Sequence, residues 1–555
     1  MRAAVAPEHA LSERRSQAGA PLPAFAEAKP RLSAGRPPFG RTPPDGGRDS
    51  PPRRSALFPP WGKCRRSRGR GLQLGESSRP PRAPDALSLL LAALLLFAGP
   101  ALAQAPVPPA ANQALGRDIL KQLVEINSTH ANGSTVAAKA IYDRLIGAGF
   151  PPSDVELLIP PDHPTKGNVV VRLHGRGLAP PILYIGHLDV VEARREDWTY
   201  DPFVLTEKDG WLYGRGTIDM KGQDAAMLAS LIRLRQEHFA PARDLIIAFT
   251  ADEEAGGDFS GVDWLLKTHR PLIDAALVIN PDGGEAGVKH GRKLYLAVQT
   301  SEKIYVTYQL EATDKGGHSS RPTAGNPIYR LARALGRVGD FAFPVDLTAT
   351  TRAYFTGRAG LEQGQIRADM RSAGAGDPPA DVIARLSSEV ETNILLRTTC
   401  VATMVDGGQG ESALPERARA VIQCRVVPGE STDDIERTLT RVIADPTIRL
   451  SVYTPPTPSP ESPPSPQVLG AVAKVAAGMW PEVVILPTMS AGASDSAFTR
   501  AAGIASYGVD GMFDDLDDGR AHGRDERIGV AAFPEELEFT YRLMKVLLDA
   551  PPPPH

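Results

Sequence analysis

Cysteine is scarce in this chain of 555 residues: only Cys64, Cys400 and Cys424 are present, and none lies in a Cys-x-x-Cys pair or a Cys/His cluster. A cysteine-based structural metal site is therefore not expected. The apolar run Leu87–Phe97 is too short to span a bilayer comfortably. We also find no internal repeat of the solenoid type. The composition, 42% hydrophobic and 23% charged residues, is that of a soluble globular protein with enough chain for two domains.

Charge is distributed unevenly along the chain. Residues 1–82 carry 17 Lys and Arg against 6 Asp and Glu, a net charge of +11, which leaves −14 for residues 83–555. The basic segment is rich in Arg, Pro, Gly and Ser, so it cannot bury enough apolar surface to offset its chain entropy. We predict a disordered extension over residues 1–82. The acidic remainder argues against nucleic acid as a partner.

A secretion signal is predicted over residues 83–103. Arg79 and Arg82 precede the apolar run Leu87–Phe97, and Ala101–Ala103 follows it, in the order of a basic region, an apolar region and a cleavage site. Because such signals normally begin a chain, we expect translation to start shortly before this segment. The predicted location is periplasmic or secreted. A signal that stays uncleaved, and so tethers the protein to a membrane, is the alternative.

Two cysteines remain after such cleavage, in an oxidising compartment. Cys400 lies in the strand-like run Thr398–Val405 and Cys424 in Ala420–Val427, with a loop-like stretch between them. If the two runs form an antiparallel hairpin centred near Ser412, the cysteines face one another. The sequence leaves a cross-strand disulfide and two unpaired core thiols as alternatives.

Short apolar strands alternate with helix-like segments over residues 104–299. Strands are expected at Val169–Leu173, Ile182–Ile185, Leu245–Phe249 and Leu277–Ile279, and helices at Leu115–Ile126, Ser134–Ala148, Ala225–Arg235 and Val262–Lys267. This alternation predicts an α/β fold with a mostly parallel sheet sandwiched by helices. We assign residues 104–299 to the first part of a catalytic domain.

The pattern changes near residue 300. Beyond the two cysteine-bearing runs, a strand is expected at Lys303–Ala312 and helices at Pro327–Val338, Val382–Glu391 and Asp433–Ile443. This predicts a small α+β domain inserted at residues 300–448. The second part of the catalytic domain is then 449–555, with a Pro/Ser-rich linker at 455–466 and a final helix at Glu535–Leu548.

Histidines and acids follow several of the predicted strands. In Ile185–Asp189, His187 is a candidate zinc ligand, and Asp189 can accept the second ring N–H of the imidazole and fix its tautomer. The glycines of Gly214–Gly222 allow a sharp turn that presents Asp219, whose two oxygens could bridge two cations. Each has a structural alternative, since His-x-Asp is common and an Asp before a helix caps backbone N–H groups.

Three consecutive acids, Asp252-Glu253-Glu254, come directly after a buried strand, which is electrostatically costly unless cations are near. One glutamate can bind metal while the other stays unligated and moves protons. Asp282 also follows a strand, and His522 lies far away in the sequence. Taken alone, these two fit a turn residue and a surface histidine.

Together these residues form a ligand set of two imidazoles and three carboxylates that suits zinc, with cobalt or manganese as alternatives. The candidate metal ligands are His187, Asp219, Glu254, Asp282 and His522. Two metal ions in such a site acidify a water and polarise a carbonyl oxygen. Glu253 is expected to carry the proton to the leaving amine.

The order of these motifs resembles the dizinc metallopeptidases that include glutamate carboxypeptidase, aminoacylase and carboxypeptidase S. The resemblance covers about residues 113–550, and Arg397–Thr399 and His522–Ile528 look closest to the carboxypeptidase S and N-acyl-amino-acid hydrolase branch. It implies one zinc on His187 and Asp282, the other on Glu254 and His522, a bridging Asp219 followed by a cis peptide bond, and Glu253 as general acid/base.

The resemblance also implies roles in the inserted domain, which looks like the family's lid and dimerisation domain. His318 would stabilise the developing oxyanion, often in the partner subunit's site. Arg425 could grip a substrate carboxylate with two hydrogen bonds, or be an ordinary surface ion-pair partner. Ser412 stands where the family often has a substrate-gripping Asn, and Gly492 lies in a loop that resembles the family's pocket-lining glycine loop.

These expectations define a function. The predicted protein is an exported zinc-dependent hydrolase that cleaves amide bonds next to a free carboxylate, as a carboxypeptidase or dipeptidase does. N-acyl-amino-acid hydrolysis is the alternative within this class, and a catalytically inactive binding protein on the same scaffold is the alternative outside it. The expected partners are the substrate and a second copy of the chain, bound through the lid domain.

Overall fold

A computed structural model describes residues 105–254 and 259–550. The predicted extension at 1–82 and the predicted signal at 83–103 lie outside the described residues. Within the described ranges, no helix is both long enough and apolar enough to cross a membrane.

Helices and strands alternate along the first half of the described chain, as predicted. The strands are β1 Val155–Leu158, β2 Asn168–Leu173, β3 Ile182–His187, β4 Thr206–Lys208, β5 Trp211–Tyr213, β6 Leu245–Thr250, β7 Leu277–Asn280, β8 Glu285–Lys289, β9 Arg292–Glu302, β10 Ile304–Thr313, β11 Gly317–His318, β12 Thr399–Gly407, β13 Ala413–Leu414, β14 Arg417–Val426, β15 Ile448–Thr454, β16 Val484–Ser490, β17 Ser506–Gly508, β18 Phe513–Asp515 and β19 Arg527–Gly529. The α-helices are α1 Ala110–Glu125, α2 Thr135–Gly147, α3 Lys221–Gln236, α4 Gly261–Thr268, α5 Arg270–Ile273, α6 Pro327–Gly339, α7 Ala349–Arg358, α8 Gly364–Ala375, α9 Ala380–Ser387, α10 Val390–Leu396, α11 Thr432–Ile443, α12 Pro466–Met479, α13 Ser496–Ala501 and α14 Ala532–Asp549.

A ten-stranded sheet forms the catalytic body, in the order β1-β2-β6-β3-β7-β17-β9-β8-β18 with β16 beside β9. Its middle, β6-β3-β7-β17, is parallel, and the pairs β1–β2, β2–β6 and β8–β9 are antiparallel. On β3, Ile182 and Tyr184 pack into one core while Leu183 and Ile185 pack into another. Because successive side chains of a strand point to opposite faces, both faces are covered. The predicted α/β fold is confirmed.

The parallel strands end together. β3 ends at His187, β6 ends three residues before Glu253, and β7 ends two residues before Asp282. Since neighbouring parallel strands share a direction, these residues leave the sheet at one edge. The fold thus places three separate motifs side by side before any loop is considered.

The inserted domain is built on a second, four-stranded antiparallel sheet in the order β12-β14-β10-β15. Helices α6 and α11 supply Leu331 and Leu439 to its core, against Tyr308 of β10 and Ile422 of β14. The last strand of this sheet, β15, runs to Thr454, which lies past the predicted end of the insertion at 448.

The stretch after α6, for which the sequence analysis gave no helix, contains α7 and α8, and the predicted helix Val382–Glu391 is broken into α9 and α10. These helices share a core that includes Phe355, Met370 and Leu396. Helix α7 contains three threonines, Thr350, Thr351 and Thr356, whose β-branched side chains lower helix propensity, so packing helps to stabilise it.

Cys400 and Cys424 lie opposite one another on β12 and β14 and are joined by a disulfide bond. The hairpin predicted from the two strand-like runs therefore forms with the register that pairs the cysteines. Of the two alternatives that the sequence left open, the cross-strand disulfide is the one observed.

Candidate metal centre

The predicted ligands converge at the edge where the parallel strands end. His187 Nε2 lies 3.2 Å from Asp219 Oδ1 and 3.9 Å from Asp282 Oδ1. His522 Nε2 lies 2.9 Å from Asp219 Oδ2 and 3.0 Å from Glu254 Oε2. Donor atoms of His187, Asp219 and Glu254 all lie within 4.8 Å of one another. Each oxygen of Asp219 thus faces a different histidine, which divides the donors into two sets that share one carboxylate.

The ring of His187 is oriented by a backbone carbonyl. Its Nδ1 lies 3.1 Å from the carbonyl oxygen of Asp189, which can only accept a hydrogen bond, so Nδ1 carries the proton. Nε2 faces Asp219 and Asp282, and it can bind a metal ion there once the proton shared with these carboxylates is released. The side chain of Asp189 was predicted to hold this ring, but its nearer carboxylate oxygen is 3.9 Å from Nδ1.

The carboxylate of Asp189 instead organises the acidic loop. Its oxygens accept the backbone N–H groups of Asp252 at 2.7 Å, Glu253 at 3.2 Å and Glu254 at 3.0 Å. Both side-chain oxygens are used because the loop wraps around them. Asp189 therefore fixes the position of Glu253 and Glu254 through the backbone, which the sequence did not suggest.

The first acid of the loop has a different partner. Asp252 is buried at a φ of 66° and forms an ion pair with Lys166, which is also buried, while His130 Nδ1 lies 3.1 Å from the same carboxylate. A left-handed φ is unfavourable for a residue with a Cβ, so these contacts hold the turn in place. Asp252 is thereby neutralised by a lysine, while the next two acids point to the centre.

Burial and like charges dominate the electrostatics of the centre. Burial and neighbouring carboxylates raise the pKa of Asp282 to about 8, although His187 opposes the shift. Burial and then the charge of Asp282 raise the pKa of Glu253 well above its usual value. Hydrogen bonds to two carboxylates raise the pKa of His522 to about 10. Protons thus balance the crowded acids, and this nitrogen and oxygen donor set fits a pair of divalent cations that would replace them.

The sequence profile described as Peptidase family M20/M25/M40 matches residues 183–546, which includes every candidate ligand. The chain belongs to this peptidase family. It is a metallohydrolase of the carboxypeptidase-like kind, as its relatives are. The family thus agrees with the one that the sequence motifs resemble.

Two relatives of this family M20 hydrolase have names that describe different activities. A carboxypeptidase S-like 2 protein of Dictyostelium discoideum is 30% identical over 378 residues, which cover 66% of this chain and 71% of the relative. The human N-fatty-acyl-amino acid synthase/hydrolase PM20D1 is 26% identical over 374 residues, which cover 66% of this chain and 74% of the relative.

A solved structure shows the same fold. The M20 family metallo-carboxypeptidase Sso-CP2 from Sulfolobus solfataricus aligns with a TM-score of 0.59 at 18% identity, over 78% of this chain and 99% of that one. The body with an inserted lid is therefore the architecture of the family. The cis peptide bond that the resemblance implied is present between Asp219 and Met220.

A cavity of about 740 Å³ opens beside the metal centre of this family M20 hydrolase. Asp219 and Asp282 line one end, and helices α7 and α10 line the other through Tyr354, Arg358 and Leu395. Gly492 is exposed, and its backbone N–H donates to Ser490 Oγ at 3.0 Å. The residues on either side of Gly492 line the cavity, so its loop lies where the sequence predicted a pocket wall.

The predicted lid residues lie away from the centre. His318 is exposed on β11, which pairs with β13, and the backbone N–H of Ser319 donates to the carbonyl of Ser412 at 3.0 Å. Arg425 lies on β14, with its guanidinium carbon 4.8 Å from the centre of the Tyr305 ring. Within the described ranges, His318, Ser412 and Arg425 do not line the cavity, and none of them hydrogen-bonds to the metal ligands.

Sequence reasoning missed one buried acid in the pocket loop. Asp495 accepts hydrogen bonds from Thr250 Oγ1 at 3.2 Å and Ser260 Oγ at 3.4 Å, and burial raises its pKa to about 7. Its charge also contributes to the raised pKa of Glu253. The sequence did contain a signal for this residue, because Asp495 lies in the Gly/Ser loop that was predicted to line the pocket.

Proposed function

We propose that this family M20 hydrolase is an exported dizinc enzyme that cleaves amide bonds next to a free carboxylate, as a carboxypeptidase or dipeptidase does. The observation that carries the proposal is the shared carboxylate: Asp219 presents Oδ1 to His187 and Oδ2 to His522. A single ion needs no such division of donors, whereas two ions need a bridging ligand.

The proposed chemistry divides between metal and protein. When bound, zinc ions would supply Lewis acidity at a carbonyl oxygen and lower the pKa of a water molecule. Glu253 is next to the ligand Glu254, and its raised pKa suits a group that takes up a proton and then releases it. Its carboxylate would accept the proton from the water oxygen and deliver it to the leaving amine nitrogen. Asp189 would keep the backbone of Glu253 in position for both proton transfers.

Arg425 is our candidate for the substrate carboxylate. Burial lowers its guanidinium pKa, and its Nη1 is buried without a hydrogen-bond partner among the described residues. A buried guanidinium N–H without a partner is a hydrogen-bond donor that is available to an anion. Ser412, which is exposed beside His318, would contact substrate from the lid.

N-acyl-amino-acid hydrolysis is the second candidate, and the lining of the cavity is compatible with it. The wall contributed by α7 and α10 contains Tyr354, Ile394 and Leu395, and Met512 of the body also lines the cavity. Such a wall can accept an apolar acyl arm as readily as a peptide side chain. The names of the PM20D1 relatives describe hydrolysis of N-fatty-acyl-amino acids.

Substrate profiling of the purified, zinc-loaded protein separates the two candidates. Dipeptides and tripeptides with free carboxyl ends would be compared with N-acyl-amino acids of increasing acyl length, and each series with its C-terminal amide. Release of amino acids from peptides alone supports the first candidate, and release from acyl-amino acids alone supports the second. Equal turnover of the amides would contradict both. Metal analysis of the same sample identifies zinc, cobalt or manganese.

Export and dimerisation complete the proposal. The segment at 83–103 and the Cys400–Cys424 disulfide favour an oxidising compartment, periplasmic or secreted. N-terminal sequencing of exported protein should begin at Gln104, and a start well before it would contradict cleavage.

The lid offers an edge for a second copy of the chain. β12 is an edge strand of the lid sheet and exposes Val401, Met404 and Val405. Such edges are templates for pairing with another chain. Sedimentation should give a dimer that Val405→Lys converts to a monomer, with the exposed helix residue Val136→Lys as the control. A monomeric wild type would contradict the proposal.

A further inference from the structure

One candidate metal ligand, His522, lies on a mostly exposed loop. His522 has a side chain that is 56% exposed and a φ of 62°, and residues 516–524 are exposed or half-buried throughout. The ion pairs of this loop, Asp517 with Lys289 and Asp518 with Arg527, connect it to β8 and β19 and not to the turn that carries Asp219. Yet His522 Nε2 lies 2.9 Å from Asp219 Oδ2, so something must fix the loop against the turn that carries Asp219.

Burial begins again directly after this loop, at Asp525 and Glu526. The carboxylate of Glu526 is fully buried and accepts backbone N–H groups from the turn that bears the bridging ligand: Gly216 at 3.1 Å, Ile218 at 2.9 Å and Asp219 at 3.2 Å. The backbone carbonyl of Glu526 also accepts the N–H of Gly214 at 3.0 Å. One glutamate therefore fixes four residues of that turn.

Arg215 joins the same turn to the histidine itself. Its Nη1 forms an ion pair with Glu526 Oε2 at 2.6 Å, and both side chains are almost completely buried. Its Nη2 donates to the backbone carbonyl of His522 at 3.3 Å, and Trp198 covers the guanidinium at 5.0 Å. The buried ion pair of Arg215 and Glu526 thus connects two segments that are more than 300 residues apart in the sequence.

We propose that Glu526 and Arg215 are positioning residues that set the distance between Asp219 and His522 and so assemble the metal position that His522 completes. The inference rests on the proposed two-metal function. Neither side chain is offered to a metal, because the carboxylate of Glu526 is already used by backbone N–H groups and the guanidinium. The buried charges hold the turn and the loop in one relative position, which an exposed loop does not maintain alone.

The test is a titration of the metal-free, full-length protein with Co²⁺. Binding is measured from the visible absorption of the bound Co²⁺. Wild type is expected to bind two Co²⁺ ions per chain. Glu526→Gln keeps the shape of the side chain but turns an NH₂ group toward N–H donors, so one of the two ions should bind about 10–100-fold more weakly. Excess Co²⁺ should restore most of the activity, which a general loss of folding would not allow.

A matched control is available on the other side of the body. Arg233 and Glu538 form an ion pair at 3.0 Å between α3 and α14, also about 300 residues apart, with side chains that are largely buried. Glu538→Gln should lower the melting temperature of the metal-free protein while leaving both Co²⁺ affinities unchanged. An equal loss of Co²⁺ affinity in Glu538→Gln would overturn the proposal, because any buried ion pair would then have the same effect.

A second variant covers failure of the first to fold. Arg215→Lys retains the charge beside Glu526 but has one ammonium group in place of a fork, so it loses the contact to His522 and should weaken the same ion. Wild-type Co²⁺ affinities in Arg215→Lys or Glu526→Gln would overturn the positioning role alone. A wild-type chain that binds no divalent cation would instead overturn the proposed function, and this inference with it.

Discussion

The catalytic body and the lid present their predicted functional residues in opposite ways. In the body, His187, Asp219 and Glu254 converge to within 4.8 Å, and buried partners hold the segments that carry them. In the lid, His318 and Ser412 lie together at the two-stranded sheet β11–β13 and Arg425 lies on a separate strand, with no contact to the metal ligands among the described residues. The body thus brings its candidate ligands together within one chain, whereas the candidate groups of the lid lie apart from them.

The physical reason lies in the two sheets. The parallel strands β3, β6 and β7 end at one edge, which brings residues from distant motifs together. The antiparallel lid sheet has its residues spread over hairpins and edges. Substitutions in the body should therefore affect metal binding, whereas substitutions in the lid should leave it unchanged.

Replacing the shared ligand should have the largest effect. Asp219→Ala removes the one carboxylate that faces both histidines, so both ions should be lost and activity should fall below detection. Metal content per chain after dialysis is the measurement. Asp263→Ala, on the surface helix α4 and paired with Lys267, is the control and should retain both ions. Full occupancy in Asp219→Ala would remove its bridging role.

Glu253 and Glu254 are adjacent, but replacing each by alanine should have different effects on metal content and on kcat. Glu253→Ala is expected to retain metal and lose about 10²–10⁴-fold in kcat, since it removes the proton carrier. Glu254→Ala should lose metal, because Glu254 is the carboxylate at 3.0 Å from His522. Metal content and kcat are measured on both variants. Loss of metal from Glu253→Ala would show that the assignment of the acid/base is wrong.

The lid histidine should affect turnover without affecting metal. His318→Ala is expected to lower kcat by about 10²–10³-fold with metal content unchanged, as loss of an oxyanion donor does. His290→Ala, another exposed histidine, is the control. If His318 acts in the partner subunit's site, mixing His318→Ala with Glu253→Ala should restore part of the activity. An unchanged kcat in His318→Ala would leave the lid without a catalytic group.

Arg425 should affect substrate binding more than turnover. Arg425→Lys replaces a forked donor with a single ammonium group, so KM for substrates with a free carboxylate should rise about tenfold or more. The matched control is Arg419→Lys on the same strand, where the arginine pairs with Glu311. A KM that rises equally in both variants would point to a structural role for Arg425.

The smallest effect is a pH dependence of stability with opposite signs in body and lid. Burial raises the pKa of Asp510 to about 7 in the folded body, so its ionisation destabilises the fold as pH rises from about 4 through 7. Asp510→Asn cannot ionise, and its melting temperature relative to wild type should rise between pH 5 and pH 8.

Glu311 in the lid gives the contrasting case. Its hydrogen bond with Arg419 lowers the pKa of the carboxyl, so its stabilising contribution is present above the unfolded pKa and is lost as pH falls. Glu311→Gln should therefore lower the melting temperature at pH 8 and have less effect at pH 4. The same sign for both variants would contradict the burial of Asp510 as the cause.

Strand ends and motif residues were predictable because each motif carried its own local signal. His187 follows an apolar strand, the acids follow another, and the periodicity of α1, α3 and α6 predicted helices that are present. The helices α7 and α8 were not predicted because their sequences have only a weak amphipathic pattern, whereas in the fold they pack around Phe355 and Met370. Partners distant in sequence, such as Glu526 with Asp219 or Asp189 with the acidic loop, need the three-dimensional fold.

The most direct test of the central claim is anomalous diffraction at the zinc absorption edge from crystals of the zinc-loaded protein. The account predicts two peaks per chain, one contacted by His187 and Asp282 and the other by Glu254 and His522, with Asp219 between them. A single peak, or a second peak that His522 does not contact, would contradict it.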